Sequence, residues 1–155
     1  RKRIIRALEV WFETGHTITE HNRLTQAIPP KYDPIWLGLE DADRKALYDR
    51  IDRRVEIMLD MGLIAEIEAL LRDGISERAT AMQAIGYKEF VAALQGECTV
   101  AEAAAQVQQA SRHYAKRQLT WFRRNKNIHW LIREGTESGE EIIAKACQIL
   151  TAFDN

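Results

Sequence analysis

The cations that could bind phosphate are concentrated in one segment of the chain. From Ala103 to Arg133 the sequence has seven Lys or Arg and no Asp or Glu, although the formal net charge of all 155 residues is only −1. On a helix with about 100° per residue, Arg112, Lys116 and Arg123 fall within about 40° of one another and form a row roughly 16 Å long. A row of this length could contact about two or three phosphates of a nucleic acid strand.

Aromatic residues lie among these cations. Tyr114 and Trp121 are close to the basic row in sequence, and proteins that bind single-stranded RNA stack bases on aromatic rings while cations bind the phosphates. In the alternative interpretation, both rings belong to the core and the arginines pair with carboxylates on neighbouring helices. The spacing of the residues leaves both interpretations open.

A second candidate segment runs from Met82 to Phe90. Gly86 stands directly before a predicted helix, where a residue without a side chain lets a ligand approach the backbone N–H groups. Tyr87 and Lys88 add an aromatic ring and a charge. A glycine at a helix start is more often structural, so this pattern alone is weak.

The first six residues of the chain add four further Lys or Arg.

The elements that must position these residues are mainly helical. Hydrophobic periodicity and capping residues predict helices over residues 3–13, 17–24, 41–61, 63–71, 86–94, 99–126 and 138–153. Two short apolar runs, 35–39 and 128–132, predict strands buried on both faces, as in parallel sheets. Two such strands rarely make a stable sheet alone, so we expect further strands in a longer protein. The alternative is a helical domain with a marginal two-stranded ribbon.

Composition excludes several classes of protein. With 46% hydrophobic and 29% charged residues, the chain is typical of a globular domain that buries a core without disulfides. Cys98 and Cys147 lack the spacing of a zinc site, and the five-residue spacing of His16 and His21 does not place both on one helix face. No apolar run approaches the roughly 20 residues of a membrane span. We therefore expect a cytoplasmic protein without a metal site of its own.

Three strings of residues carry a family resemblance. The strings are Arg6–Val10 (RALEV), Ala84–Phe90 (AIGYKEF) and Ala115–Arg123 (AKRQLTWFR), with support from Thr14-Gly15, Arg53–Val55, Met58-Leu59 and Gly62-Leu63. In this order they resemble the later part of the tRNA dimethylallyltransferases, also called tRNA isopentenyltransferases. The resemblance covers nearly the whole chain, and the AKRQLTWFR string is its most specific part.

The resemblance implies an activity and a fold. Such enzymes transfer a dimethylallyl group from dimethylallyl diphosphate to the exocyclic amine of the adenine 3′ of the tRNA anticodon. Their core resembles an α/β P-loop kinase, a nucleotide-binding type of fold associated with ATP, and carries an inserted helical domain. By this resemblance, residues 1–28 are the end of the inserted helical tRNA-clamping domain. Residues 29–155 are the carboxy-terminal part of the catalytic core, mainly α with two short strands and with tRNA-facing helices.

The chain also departs from the family pattern. It has no Gly-x-x-x-x-Gly-Lys-Ser/Thr string and no match to the catalytic Asp segment. We therefore expect a carboxy-terminal portion that contains no catalytic residue and is inactive in isolation. The resemblance implies that Mg²⁺ is bound outside this chain, and that the partners are the tRNA anticodon stem-loop, dimethylallyl diphosphate and the missing amino-terminal part of the enzyme.

The resemblance assigns the contacts with tRNA to three segments, Lys2–Arg6, Gln83–Lys88 and Lys116–Arg123. The hypothesis for the basic row adds Arg112, which binds RNA phosphate or reaches toward the diphosphate pocket. The predicted tRNA-binding residues are Lys2, Arg3, Arg6, Gln83, Gly86, Tyr87, Lys88, Arg112, Lys116, Arg117, Gln118, Thr120, Trp121 and Arg123. Two alternatives stay open. One is a non-catalytic helical module that binds RNA or a partner, and the other is a structural helical domain whose basic row is neutralised internally.

Overall fold

The computed structural model describes residues 1–29 and 31–153, and these residues are mainly helical. The capping residues predicted from the sequence, Thr99 and Ser138, each accept a hydrogen bond from the backbone N–H three residues later. Thr17 does the same at the start of another helix. The helices are α1 (Lys2–Thr14), α2 (Ile18–Ala27), α3 (Arg44–Asp60), α4 (Leu63–Arg72), α5 (Tyr87–Leu94), α6 (Val100–Phe122) and α7 (Gly139–Thr151), and the strands are β1 (Trp36–Asp41) and β2 (Ile128–Arg133). The prediction of a mainly helical chain with two short strands is confirmed.

The chain divides into two compact units, residues 1–34 and 35–155. In the first unit, α1 packs on α2. Gly15 ends α1 with a φ of 71°, and its N–H donates to the carbonyl of Trp11; glycine adopts this left-handed conformation without steric cost. The assignment of the first residues to an inserted helical domain stays a prediction.

The second unit has a helical core built by α3, α4, α5 and α6. Ile67 and Phe90 are fully buried, and Met82 and Val107 nearly so. Ala103 at the start of α6 is also fully buried. Small side chains such as this one let helices approach closely, so the alanine-rich first half of α6 packs against α3 and α5. This core fixes where the second half of α6 lies.

Two local features differ from the sequence-based expectation. A short 3₁₀ turn at Ala81–Gln83 was not predicted; its Met82 is buried in the core, and this tertiary contact is not visible in the local sequence. Helix α6 ends at Phe122 and not near Lys126. The chain turns there, where the side chain of Asn125 accepts a hydrogen bond from the N–H of Asn127.

The two strands are parallel and form a two-stranded sheet, in which Trp36 pairs with Ile128 and Asp41 with Arg133. The expectation that they are buried on both faces is wrong for this chain: Trp36, Leu37 and Leu39 are 44%, 39% and 54% exposed. A two-stranded sheet covers few of its own side chains. Apolar strand residues therefore remain in contact with solvent.

Asp41 connects the sheet to α3. Its carboxylate, at the carboxyl end of β1, accepts hydrogen bonds from Arg50 of α3 at 2.9 and 2.6 Å and from Arg133 of β2 at 2.8 Å. The side chain is only 10% exposed, so both guanidinium groups compensate for the loss of its hydration. This carboxylate holds α3 and β2 in a fixed relation to β1.

Hydropathy gives no candidate for a bilayer-crossing helix in the part of the chain that the structure describes.

Gly38 permits the close approach of the two strands. A Cβ at this position would lie 2.7 Å from Cγ2 of Ile128 and 2.8 Å from the ring of Trp130, whereas a Cβ at Gly139 would meet nothing within 4 Å. We expect Gly38→Ala to lower the free energy of unfolding by about 1–3 kcal/mol. The matched Gly139→Ala should be neutral or stabilising by up to about 1 kcal/mol. Urea denaturation followed by circular dichroism measures both, and equal effects would contradict the steric argument.

The connection between β2 and α7 depends on one carboxylate. Glu137 accepts a hydrogen bond from Lys145 at 2.8 Å and from the backbone N–H groups of Glu134 and Gly135. The hydrogen bond with Lys145, together with the backbone donors, lowers the pKa of Glu137 to about 2 from its ordinary 4.5.

This lowered pKa predicts an acid-sensitive stability. Because the unfolded chain takes up the proton first, the stabilisation is present above about pH 4.5 and is lost as the pH falls toward 2. Glu137→Gln should therefore reduce stability at pH 7 and make the urea midpoint less dependent on pH between 5 and 2. Glu97→Gln, which removes an exposed carboxylate with no side-chain partner among the described residues, is the control and should leave that dependence unchanged.

Candidate nucleic-acid interface

The basic row lies on the second half of α6, and its three cations have different surroundings. Arg112 donates to the carboxylate of Asp52 on α3, and Arg123 donates to Glu40 of β1. Lys116, between them, is exposed and forms no ion pair within the described residues. Two of the three charges are therefore neutralised by this chain, and the third is available to another molecule.

The two arginine pairs differ in their carboxylates. The Glu40 side chain is 16% exposed, whereas Asp52 is 33% exposed. A carboxylate removed from water depends more on its cationic partner than a half-exposed one. The arginines have the opposite order, since Arg112 is 28% exposed and Arg123 is 58% exposed, so exposure does not rank the two pairs. The interpretation that the arginines pair with carboxylates of the same chain is correct for these two residues.

The aromatic residues of α6 are on the surface. Trp121 is 64% exposed, and its ring lies in an edge-to-face arrangement with that of Phe122, with ring centroids 4.8 Å apart. Tyr114 is 49% exposed, and the guanidinium of Arg117 lies 5.6 Å from its ring centroid. Neither ring belongs to the core, so both are accessible to stack with a base.

The segment around Gly86 is occupied by its own hydrogen bonds. The N–H of Gly86, whose φ is 103°, donates to the buried carboxylate of Glu89 at 2.8 Å. The hydroxyl of Tyr87 donates to Glu66 at 2.6 Å, and this hydrogen bond raises the pKa of Tyr87. Lys88 lies 3.5 Å from Glu89 and is half exposed. The backbone donor of Gly86 is not free, but the lysine amine remains accessible.

The other predicted contact residues lie on exposed parts of both units. Gln118 is exposed at the rim of a cavity of about 360 Å³ over the sheet, and the hydroxyl of Thr120 donates to the carbonyl of Lys116. In the first unit, Lys2 and Arg3 are exposed, and Arg6 contacts Glu9 at 3.4 Å.

Two cations were missed by the sequence analysis. Arg50 and Arg54, together with the predicted Arg117, border a groove between α3, α6 and the turn that contains Gln83. We call this the arginine groove. The sequence signal for Arg54 was the Arg53-Arg54 pair within α3. Consecutive residues of a helix point about 100° apart, so only one of the two arginines can lie on the acidic face of α3.

The described residues do not fit a metal site. They contain no cluster of three or more His, Cys, Asp or Glu that could bind a metal ion. The most buried carboxylates of the region, Glu40 and Asp41, are already paired with arginines.

The second unit thus consists of a parallel strand pair attached to a helical core, with accessible cations and aromatic rings on one helix. The family model described as IPP transferase matches residues 1–125. The chain belongs to the IPP transferase family.

Relatives in the family share a name. The chain is 40% identical over 152 residues to the tRNA dimethylallyltransferase of Acetivibrio thermocellus, covering 98% of this chain and 48% of that protein. It is 46% identical over 144 residues to the tRNA dimethylallyltransferase of Carboxydothermus hydrogenoformans, covering 93% of this chain and 45% of that one. The chain thus spans about half the length of the curated relatives it matches.

Solved structures agree with this membership. The tRNA isopentenylpyrophosphate transferase of Bacillus halodurans matches with a TM-score of 0.71 and 36% identity over 85% of this chain and 43% of that one. The tRNA delta(2)-isopentenylpyrophosphate transferase of Staphylococcus epidermidis matches with a TM-score of 0.70 and 38% identity over 97% of this chain and 49% of the other. The resemblance found in the sequence is confirmed at the level of the family.

The pairing of Arg112 can be measured in solution. A double-mutant cycle with Arg112→Ala and Asp52→Ala should give a coupling energy of about 0.5–1 kcal/mol in urea denaturation, the range of partly exposed ion pairs. The control cycle pairs Asp52→Ala with Lys145→Ala and should give a coupling near zero, because Lys145 lies on α7 and is paired with Glu137. A coupling near zero in the Arg112 cycle would mean that the arginine is free in solution.

Proposed function

We propose that this chain is part of a tRNA-modifying prenyltransferase and supplies contacts with the tRNA. The enzyme transfers a dimethylallyl group from dimethylallyl diphosphate to the exocyclic amine of the adenine 3′ of the anticodon. The family membership and the names of the relatives support this reaction. The P-loop, the catalytic carboxylate and the residues that hold Mg²⁺ belong to the rest of the enzyme, since the 155 residues contain no P-loop string.

The observation that carries the proposal is the surface of α6 from Lys116 to Trp121. Lys116 has no acidic partner among the described residues, and Trp121 is largely in solvent. An unpaired ammonium beside an exposed indole suits a phosphate next to an unstacked base, and base-modifying enzymes require such a base. The same residues belong to the AKRQLTWFR string that carries the family resemblance.

The paired arginines have a positioning role in this proposal. Arg112 and Arg123 connect α6 to α3 and to β1 through Asp52 and Glu40, and so hold Lys116 and Trp121 at a fixed distance from the sheet. The sheet belongs to the proposed P-loop-kinase-like core. A rigid α6 therefore places the bound tRNA relative to a reaction centre located elsewhere in the enzyme.

The remaining predicted residues extend the contact with tRNA. Lys88 presents its amine beside the Gly86 turn, while Gln118 and Thr120 flank Lys116 on α6. In the first unit, Lys2, Arg3 and Arg6 form a basic helix start, which we assign to the end of the inserted helical domain that holds the anticodon stem-loop. These cations would increase the affinity for tRNA without contributing sequence specificity.

A second candidate function is a non-catalytic helical module that binds RNA. It is favoured by the self-contained helical core of α3 to α6 and by the absence of a P-loop string from this sequence. The reading frame upstream of Arg1 distinguishes the two. A P-loop encoded there supports the transferase, and its absence would favour the binding module.

Substitution of Lys116 tests the RNA contact. Lys116→Ala should weaken binding of an anticodon stem-loop to a similar extent for different tRNA sequences, and should lower the slope of log affinity against log salt by about one, since one phosphate contact is lost. Filter binding at several salt concentrations measures both quantities.

Lys45→Ala is the control for Lys116→Ala. It removes the same charge from a lysine that is hydrogen-bonded to Asp49, so it should leave the slope unchanged. An unchanged slope for Lys116→Ala would contradict the proposed contact.

A further inference from the structure

One carboxylate lies buried beneath the turn that precedes α5. Among the described residues, Glu89 is the charged residue that the fold buries, with 8% of its surface exposed. Burial of a carboxylate costs free energy, because the protein must replace its hydrogen bonds with water. The glutamates that cap α6 and α7, Glu102 and Glu141, form the same kind of hydrogen bond and are exposed. Helix capping alone therefore does not account for the burial of Glu89.

Glu89 fixes the backbone of the Gly86 turn. Its Oε2 accepts a hydrogen bond from the N–H of Gly86 at 2.8 Å, and the φ of Gly86 is 103°, a conformation that favours glycine. At the starts of α6 and α7, the hydroxyl of Thr99 or Ser138 accepts a second backbone hydrogen bond. Gly86 has no side chain that could do this. The turn before α5 therefore depends more on its glutamate than the other two helix starts do.

The second oxygen of Glu89 faces Lys88. Nζ of Lys88 lies 3.5 Å from Oε1 of Glu89, and the lysine side chain is 49% exposed. Partly exposed ion pairs are weak, so the position of the amine depends mainly on the backbone of the turn. An amine that is placed before binding loses less conformational entropy when it contacts a phosphate.

We infer that Glu89 is a positioning residue for RNA binding, which acts through the Gly86 turn on Lys88 and does not touch the RNA itself. The inference rests on the proposed function, which assigns Lys88 to the contact with tRNA. The hydrogen bond to Gly86 is the essential part of this role. Glu89→Gln keeps nearly the same shape, and its amide oxygen can accept the same hydrogen bond.

The two kinds of substitution at Glu89 separate the hydrogen bond from the charge. Binding of a tRNA anticodon stem-loop to the chain is measured by filter binding at low salt. Glu89→Ala should weaken binding about fivefold or more, because the turn loses its hydrogen bond. Glu89→Gln should bind within about twofold of the wild-type chain. Glu89→Met, which fills the buried space without an acceptor, replaces Glu89→Ala if that variant does not fold, and the same loss is expected.

Glu141→Ala is the control for a general loss of stability. Glu141 accepts a hydrogen bond from the N–H of Ser138 at 2.7 Å at the start of α7, so the control removes an equivalent hydrogen bond away from α5. Both alanine variants should lower the urea midpoint, but Glu141→Ala should change the affinity for the stem-loop by less than about twofold. Circular dichroism confirms that each variant is folded.

A second measurement tests whether Glu89 acts through Lys88. In the Lys88→Ala background, Glu89→Ala should weaken binding by less than about twofold, since the amine that Glu89 positions is already absent. In the Lys116→Ala background, Glu89→Ala should keep its full effect, because the contact of Lys116 on α6 is independent of the turn.

The outcomes separate this inference from the proposed function. The inference would be overturned by an unchanged affinity of Glu89→Ala, by equal losses in Glu89→Gln and Glu89→Ala, or by an equal loss in Glu141→Ala. An equal effect of Glu89→Ala with and without Lys88 would also overturn it. Loss of affinity in Lys116→Ala would in each case still support the RNA contact of α6. Failure of the wild-type chain to bind the stem-loop at low salt would overturn both proposals.

Discussion

The close packing of the first half of α6 is the constraint on which the rest of the second unit depends. Ala103 and Val107 are buried against α3 and α5, and a larger side chain at Ala103 would separate these helices. Because an α-helix is rigid over its length, fixing its first half also fixes the direction of its second half. The cations and aromatic rings from Arg112 to Arg123 have their positions for this reason.

Ion pairs then determine which of those cations remain available. The carboxylates of Asp52 and Glu40 hold the two arginines of the basic row, while Lys116 has no partner within the described residues. An arginine in such a pair loses part of its attraction for phosphate, because the carboxylate already satisfies its donors. The row predicted from periodicity is thus divided into two residues that position the helix and one that faces solvent.

The candidate site was only partly visible in the sequence. Helical periodicity placed Arg112, Lys116 and Arg123 on one face, and this arrangement agrees with the contacts of Arg112 and Arg123 toward α3 and β1. The arginine groove could not be predicted, since Arg54, Ile85 and Tyr114 are far apart in the chain and meet through the packing of three elements. The hydrogen bond from Gly86 to Glu89 is local, since it joins residues three apart, and the capping register of Glu89 was the signal for it.

The sequence by itself determined the helices, the two strands and the family, because periodicity, capping residues and the AKRQLTWFR string are local and are read without knowledge of neighbours. Tertiary structure decided burial and charge pairing. The apolar strands are exposed because the described residues provide only a two-stranded sheet. Asp41 pairs with Arg50 and Arg133 because both arginines lie close to it at the carboxyl end of its strand. Such contacts depend on residues distant in the chain, and the energy of a charge depends on how much water the fold leaves around it.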